Sequence, residues 1–211
     1  MPTIRDLQGR SGNDQGASRE IQGEGTGADL VVAYLNAEGV KFVFGVIGSS
    51  ILDLTDALYR APSIRYIPTQ HEQAAAFMAD GYARVTGQPG VCIATVGPGA
   101  TNLTSGIAQA FVESSPVIAL TGDIHTRHYG KGSSNFHEID QQALYRPITK
   151  MSWRVEHPDR LGEFMRMAFR TALSGRRGPV YLGLPRDVLK ARMPIEAPPP
   201  ETYRVLDQRM H

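Results

Sequence analysis

The sequence predicts an α/β domain: a six-stranded parallel sheet with helices on both faces. Three observations predict it. Short apolar runs bounded by Gly or Pro alternate with longer stretches at helical period, the pattern of repeated βα units. The runs lack a polar alternation, as expected of strands buried on both sides. A length of 211 residues with 41% hydrophobic and 20% charged residues suits one α/β domain, or two small ones, with a real core.

Residues 1–26 are polar and Gly/Ser-rich without apolar period, and read as a flexible leader before a domain at 27–190. Leu30, Val31, Tyr34 and Leu35 fall at helical spacing, and Gly39 stands where a C-cap belongs. Phe42–Val46 is a strand between glycines, Ile51–Tyr59 returns to helical period, and Ile64–Ile67 is a strand stopped by Pro68. His71–Val85 is an Ala-rich helix closed by Gly87. Val91–Val96 is a strand ending at Gly97-Pro98-Gly99, followed by a helix over Ala100–Phe111 and a strand at Val117–Thr121. Residues 122–147 read as a long irregular loop, a feature that is usually functional inside a compact domain. Met151–Val155 is a fifth strand, Asp159–Leu173 an amphipathic helix, and Val180–Leu184 a sixth strand. Residues 191–211 carry Pro194, Pro198, Pro199 and Pro200 and read as a Pro-rich linker.

Charge and composition exclude several classes. Lys+Arg total 22 and Asp+Glu 21, a net +1, so there is no basic face for nucleic acid. No apolar run approaches a membrane span, and the N-terminus has no secretory h-region. The single cysteine, Cys92, forms no internal disulfide and reads as a buried small hydrophobe. These features lead to the expectation of a cytoplasmic protein.

Right-handed crossovers put every strand's C-terminal end on one edge of such a sheet, where ligands bind. The turns there are Val46–Ser50, Thr69–Glu72 and Gly97–Asn102, joined by the loop from Gly122. Glu72 has two compatible readings. Thr69 with Glu72 three residues on forms a capping box, and a carboxylate also suits a helix's first turn. The same carboxylate, rigidly mounted at the ligand edge, is placed to handle a proton. The Gly97-Pro98-Gly99-Ala100-Thr101-Asn102 turn imitates a dinucleotide loop, with Asp123 imitating a ribose-binding acid. Against this, Pro98 has no N–H for a phosphate, and Asn102 occupies the third small position. His125, His128 and His137 read either as a partial metal site or as solvated loop residues; no metal ligand is assigned.

The run His71-Glu72-Gln73-Ala74-Ala75-Ala76, continuing as Ala79-Asp80-Gly81-Tyr82-Ala83-Arg84, resembles the thiamine-diphosphate enzymes of the acetolactate synthase type. Gly97–Asn102 with Gly106-Ile107-Ala108, the Phe136-His137-Glu138 segment, and Gly178-Pro179-Val180 with Leu184–Val188 resemble further blocks of that family, in register over residues 27–190. The resemblance is to the family's N-terminal, pyrimidine-binding domain. It implies that Glu72 hydrogen-bonds N1′ of the cofactor's aminopyrimidine and favours the imino tautomer that deprotonates the thiazolium C2. It implies Pro98 and Asn102 near that ring, Gly48 and Ser49 on the thiazolium side, and Ile47, Phe136 and His137 toward substrate, with His137 as a second catalytic group.

This chain departs from the family's usual Pro-Gly-Gly at Ile47-Gly48-Ser49 and from its usual Gln at His137. Both positions would face substrate, so the cofactor role carries over further than acetolactate formation. The family's Gly-Asp-Gly block for the diphosphate and Mg²⁺ has no match here. The expectation is therefore half a site. Either a fragment or a separate subunit is implied, joined by a diphosphate-binding domain that holds Mg²⁺, acting on a 2-keto acid and assembling as a homodimer or higher oligomer. The alternatives are a non-catalytic assembly module of the same fold and an NAD-binding oxidoreductase domain.

Overall fold

The computed structural model describes residues 23–131 and 136–204. Six strands form one sheet: β2 (Phe42–Gly45), β3 (Arg65–Pro68), β4 (Gly90–Ala94), β5 (Val117–Asp123), β6 (Met151–Arg154) and β7 (Val180–Pro185). They run parallel in the order β3-β2-β4-β5-β7-β6. The chain reverses its direction of travel between β2 and β4 and again between β5 and β7. At such reversals the loops beyond the strand ends diverge and leave a crevice.

Two layers of helix bury the sheet. One face carries α1 (Gly27–Ala37), α2 (Leu52–Tyr59), α6 (Leu161–Leu173) and α7 (Arg186–Lys190). The other carries α3 (Glu72–Thr86), α4 (Pro98–Val112) and the short α5 (Gln141–Tyr145). The strands alternate their side chains between the two layers. Val43, Ile93, Ile118, Leu120 and Leu182 point to the first layer, while Cys92, Ala94 and Ala119 point to the second. Small residues on that second face let α3 and α4 lie close to the strands and to each other. A methyl at Gly90 would stand 2.0 Å from the Ala79 carbonyl oxygen, and one at Gly106 would stand 2.5 Å from the Ala76 Cβ. Gly106→Ala is therefore expected to cost about 1–3 kcal/mol of stability by overpacking. Thermal unfolding checks this, and an unchanged midpoint would show that the helix pair is loosely packed. Deeper in the layer, the stacked rings of Tyr145 and Tyr181, centroids 4.0 Å apart, fill the space between α5 and the sheet.

Helix ends follow the glycine signals. Gly39 and Gly87 sit just past α1 and α3 with φ of 75° and 70°, conformations that a Cβ disfavours. α1 starts from a capping box in which the Thr26 side chain accepts from the Asp29 N–H and the Asp29 carboxylate accepts the Thr26 N–H at 2.8 Å.

A short ribbon crosses the expected boundaries at 26/27 and 190/191. β1 (Glu24–Thr26) pairs antiparallel with β8 (Arg192–Pro194), so residues assigned to leader and linker join the fold. Ile195, 1% exposed, packs into the α1/α6 core, and burial of that side chain holds the segment down. Further on, the Tyr203 hydroxyl donates to Glu38 Oε1 at 2.5 Å, and Arg204 pairs with the same carboxylate. Residues 1–22 of the leader and 205–211 of the linker lie outside the described residues. The loop expected over 122–147 also contains order: β5 runs on to Asp123, and α5 follows from Gln141. Among the described residues no helix is long and apolar enough to cross a membrane.

Candidate functional site

The C-terminal ends of β2, β3 and β4 gather the candidate residues. The capping box expected at Thr69 and Glu72 does not form. Thr69 still follows the sheet, its N–H donating to the Gly45 carbonyl at 2.9 Å and its hydroxyl to that of His71 at 3.0 Å. The cap of α3 is His71, whose Nδ1 accepts the Gln73 N–H at 3.1 Å. The Glu72 carboxylate is thereby released from capping and turns inward, with the residue only 8% exposed.

Its partner comes from the next helix. Asn102 Nδ2 donates to Glu72 Oε2 at 3.0 Å. The other oxygen, Oε1, lies over Gly99, where a Cβ would come within 3.2 Å of it, and no described residue donates to it. Gly99 belongs to the first turn of α4, which opens with Pro98 at an exposed N-terminal position suited to proline. Thr95 packs between the turns: an added Cβ would stand 2.5 Å from Thr95 Cβ at Gly48 and 2.9 Å from Thr95 Cγ2 at Gly99. The missing side chains at 48 and 99 thus let the two turns close on Thr95 beside a buried carboxylate.

The second reversal brings in the loop after β5. Gly97, with φ 69°, sits against His137, whose carbonyl oxygen would be 2.3 Å from an added Cβ. His137 itself takes a left-handed φ of 67°, uncommon for a residue with a side chain. Its ring stacks on Phe136 with centroids 3.5 Å apart, and Phe136 is 81% exposed. Ile47, 52% exposed, and the exposed Ser49 flank Gly48 on the turn after β2. The structure thus brings Glu72, Gly99 and Asn102 into one contact set, with Pro98 on the same turn. Gly48 reaches it through Thr95, and His137 through the backbone of Gly97.

Three residues here escaped the sequence reading. Ser50 Oγ pairs with Thr95 Oγ1 at 2.9 Å and accepts the Val96 N–H at 2.9 Å, stitching the turn after β2 to the end of β4. Thr95 is the second. Gln141 is the third: its Oε1 accepts the Gly97 N–H at 2.9 Å and its Nε2 donates to the Gly122 carbonyl at 3.2 Å. Each is a polar residue beside a glycine turn, a signal too common in sequence to single any of them out.

Other candidates have different employment. Asp123, the imitation ribose acid, is buried against Arg154, whose Nε lies 3.0 Å from its Oδ2. Burial pushes the Asp123 pKa up, against the pull of the Arg154 charge and the Ile124 N–H. The Asp187 carboxylate, at the start of α7, accepts from the Thr126 N–H at 3.0 Å and from its hydroxyl, and lies 3.4 Å from His125 Nδ1. Burial raises the Asp187 pKa less than the Thr126 bonds lower it, so it ends below its usual range. Cys92 is fully buried, its thiol pushed up to about 12 by desolvation. Among the described residues, no three of His, Cys, Asp and Glu gather where they could hold a metal ion.

A planar heterocycle with a nitrogen to pair with Oε1 suits this carboxylate, which is oriented by Asn102, sheltered from bulk water, and bordered by Gly99. The residues fit the pyrimidine half of thiamine diphosphate on that ground.

Comparison with known proteins agrees. The family model described as thiamine pyrophosphate enzyme, N-terminal TPP binding domain, matches residues 25–144, a span from β1 to α5 that holds Gly48, Glu72, Pro98, Asn102 and His137. A probable acetolactate synthase large subunit of Methanocaldococcus jannaschii is 48% identical over 173 residues, which cover 82% of this chain and 29% of that protein. The acetolactate synthase isozyme 1 large subunit of Escherichia coli (strain K12) is 44% identical over 174 residues, covering 82% of this chain and 31% of its own length. The chain spans about 30% of the length of these curated relatives. The family match and the buried Glu72 together lead to one assignment: the chain belongs to the thiamine pyrophosphate enzymes, as an N-terminal TPP binding domain.

Proposed function

We propose that this chain is the pyrimidine-binding half of a thiamine-diphosphate-dependent enzyme that decarboxylates a 2-keto acid and joins the fragment to an acceptor, in the manner of an acetolactate synthase. The observation that carries the reading is the Glu72 carboxylate, buried over Gly99 and held by Asn102.

When bound, thiamine diphosphate supplies a carbon nucleophile and an electron sink for the keto carbon. Glu72 shares a proton with the ring nitrogen at Oε1, and in a site with little water that charge-assisted bond is strong. Asn102 fixes the direction in which the carboxylate offers its lone pair. Pro98 and Gly99 give the ring an apolar, close-fitting border. Gly48 and Ser49 would border the thiazolium side. Ile47 and Phe136 would face the substrate side, with the His137 imidazole toward the reacting centre.

The diphosphate and its Mg²⁺ would be held by a domain or subunit beyond these 211 residues, so turnover would need both. A homodimer or higher oligomer supplies the missing wall. The exposed Phe77, Met78 and Val85 of α3 and Val112 of α4 give such an assembly an apolar face. The cytoplasm, where small keto acids and thiamine diphosphate are available, is the proposed location.

Calorimetry tests the reading. Thiamine diphosphate with Mg²⁺ is titrated into the chain with and without a diphosphate-binding partner domain. Binding that requires the partner is the expected result. Absence of heat under every condition would leave a non-catalytic assembly module, and a micromolar fluorescence response to NADH would favour the dinucleotide reading instead.

A further inference from the structure

α5 offers two buried side chains, one helical turn apart, to the same short stretch of chain. Gln141, 1% exposed, takes the Gly97 N–H, and the Tyr145 hydroxyl donates to the Ala100 carbonyl. Both contacts bracket Pro98 and Gly99. The N-terminus of α4 has no side-chain cap, and Gly97 holds the unusual pair φ 69°, ψ −109°. With Pro98 next in line, that turn has one fewer N–H to anchor it. The Gly97 amide is thus one of the polar handles left on the turn, and Gln141 is what grips it.

The Gln141 side-chain amide ties that turn to a second strand end. Nε2 reaches the Gly122 carbonyl near the end of β5, and Gln141 itself follows the loop that carries Phe136 and His137. Gly97 meanwhile lies against the His137 backbone. A shift at Gln141 would move the Gly97 turn relative to both Glu72 and His137 at once.

The geometry points to Gln141 as a positioning residue for the site: it locks the Gly97-Pro98-Gly99 turn beneath Glu72 in register with the loop bearing His137. This rests on the function proposed above. Gln141 makes no hydrogen bond to Glu72 or Asn102, so it acts on them through the Gly97 turn.

Gln141→Met keeps the side chain's length and removes both hydrogen bonds. Gln142→Ala is the control; its lost bond, Nε2 to the Ser152 carbonyl at 3.1 Å, loosens the same helix without touching Gly97. Amide exchange by NMR, on the natural-length protein without cofactor, is expected to quicken at least tenfold at Gly97 in Gln141→Met, while the core amide of Leu120 stays protected. In the assembled enzyme, the thiamine diphosphate Kd is expected to rise about tenfold and kcat to fall about tenfold, as sub-ångström misplacement does, with the keto acid KM unchanged. Gln142→Ala is expected to match wild type in all three. Unchanged Gly97 exchange, wild-type Kd and kcat in Gln141→Met, or equal losses in Gln142→Ala would each overturn the inference. If Gly97 exchange quickens but the wild-type assembly binds no thiamine diphosphate, the function beneath falls and the positioning role with it.

Discussion

Glu72→Gln, in the assembled natural-length enzyme, is expected to lower kcat by about 10²–10⁴-fold, the range of a lost acid–base group, with the fold intact. The amide matches the carboxylate in size, and its oxygen still accepts from Asn102 Nδ2, which sits 3.0 Å from Oε2. What changes is the atom over Gly99. An NH₂ there donates instead of accepting and cannot share the ring proton. Burying an amide in place of a carboxylate also lowers the desolvation cost, so the thermal midpoint should hold or rise. Keto acid consumption and circular dichroism melting measure the two sides. Turnover close to wild type would refute the proposed role of Glu72 outright.

The largest stability effect is expected at Arg154. Its side chain and that of Asp123 are 5% and 3% exposed, and they pair at 3.0 Å. Its Nη2 also donates to the Ile124 carbonyl at 2.6 Å, and its guanidinium lies 4.1 Å above the centre of the Tyr129 ring. Arg154→Met would leave Asp123 buried without its cation, a loss of about 3–5 kcal/mol. Urea unfolding measures it, and a loss under about 1 kcal/mol would mean that water reaches the pair freely. The pH dependence has a definite sign. Burial raises the folded-state pKa of Asp123, and removing Arg154 raises it further. The folded variant then holds a proton that the unfolded chain releases, so its stability falls as pH climbs from the usual carboxylate range to the raised value. The deficit should be smallest in acid. Asp123→Asn added to Arg154→Met should recover part of the loss at neutral pH.

Much of the architecture was legible because the physics was local. Gly39 and Gly87 end helices where a left-handed residue is needed, and the apolar runs between glycines are the strands of the sheet. What stayed hidden depends on register. Thr69 and Glu72 have capping-box spacing, but Thr69 is held by the Gly45 carbonyl of the neighbouring strand, so His71 becomes the cap. The pairing of β1 with β8 joins two three-residue segments, too short to show a period. In the candidate site, Glu72 stood out by its place on a turn at the sheet edge, whereas Pro98 and Asn102 were candidates only through the family resemblance. Gln141 was not a candidate, since its partners Gly97 and Gly122 lie 44 and 19 residues away.

The β1–β8 pair sets how the domain would bear load. Gly23 and Ile195, bonded at 2.8 Å, stand side by side at the open end of that ribbon. A force applied through these two points peels the ribbon apart one rung after another. The parallel sheet would feel tension only after the ribbon had parted, so the ribbon acts as a mechanical fuse.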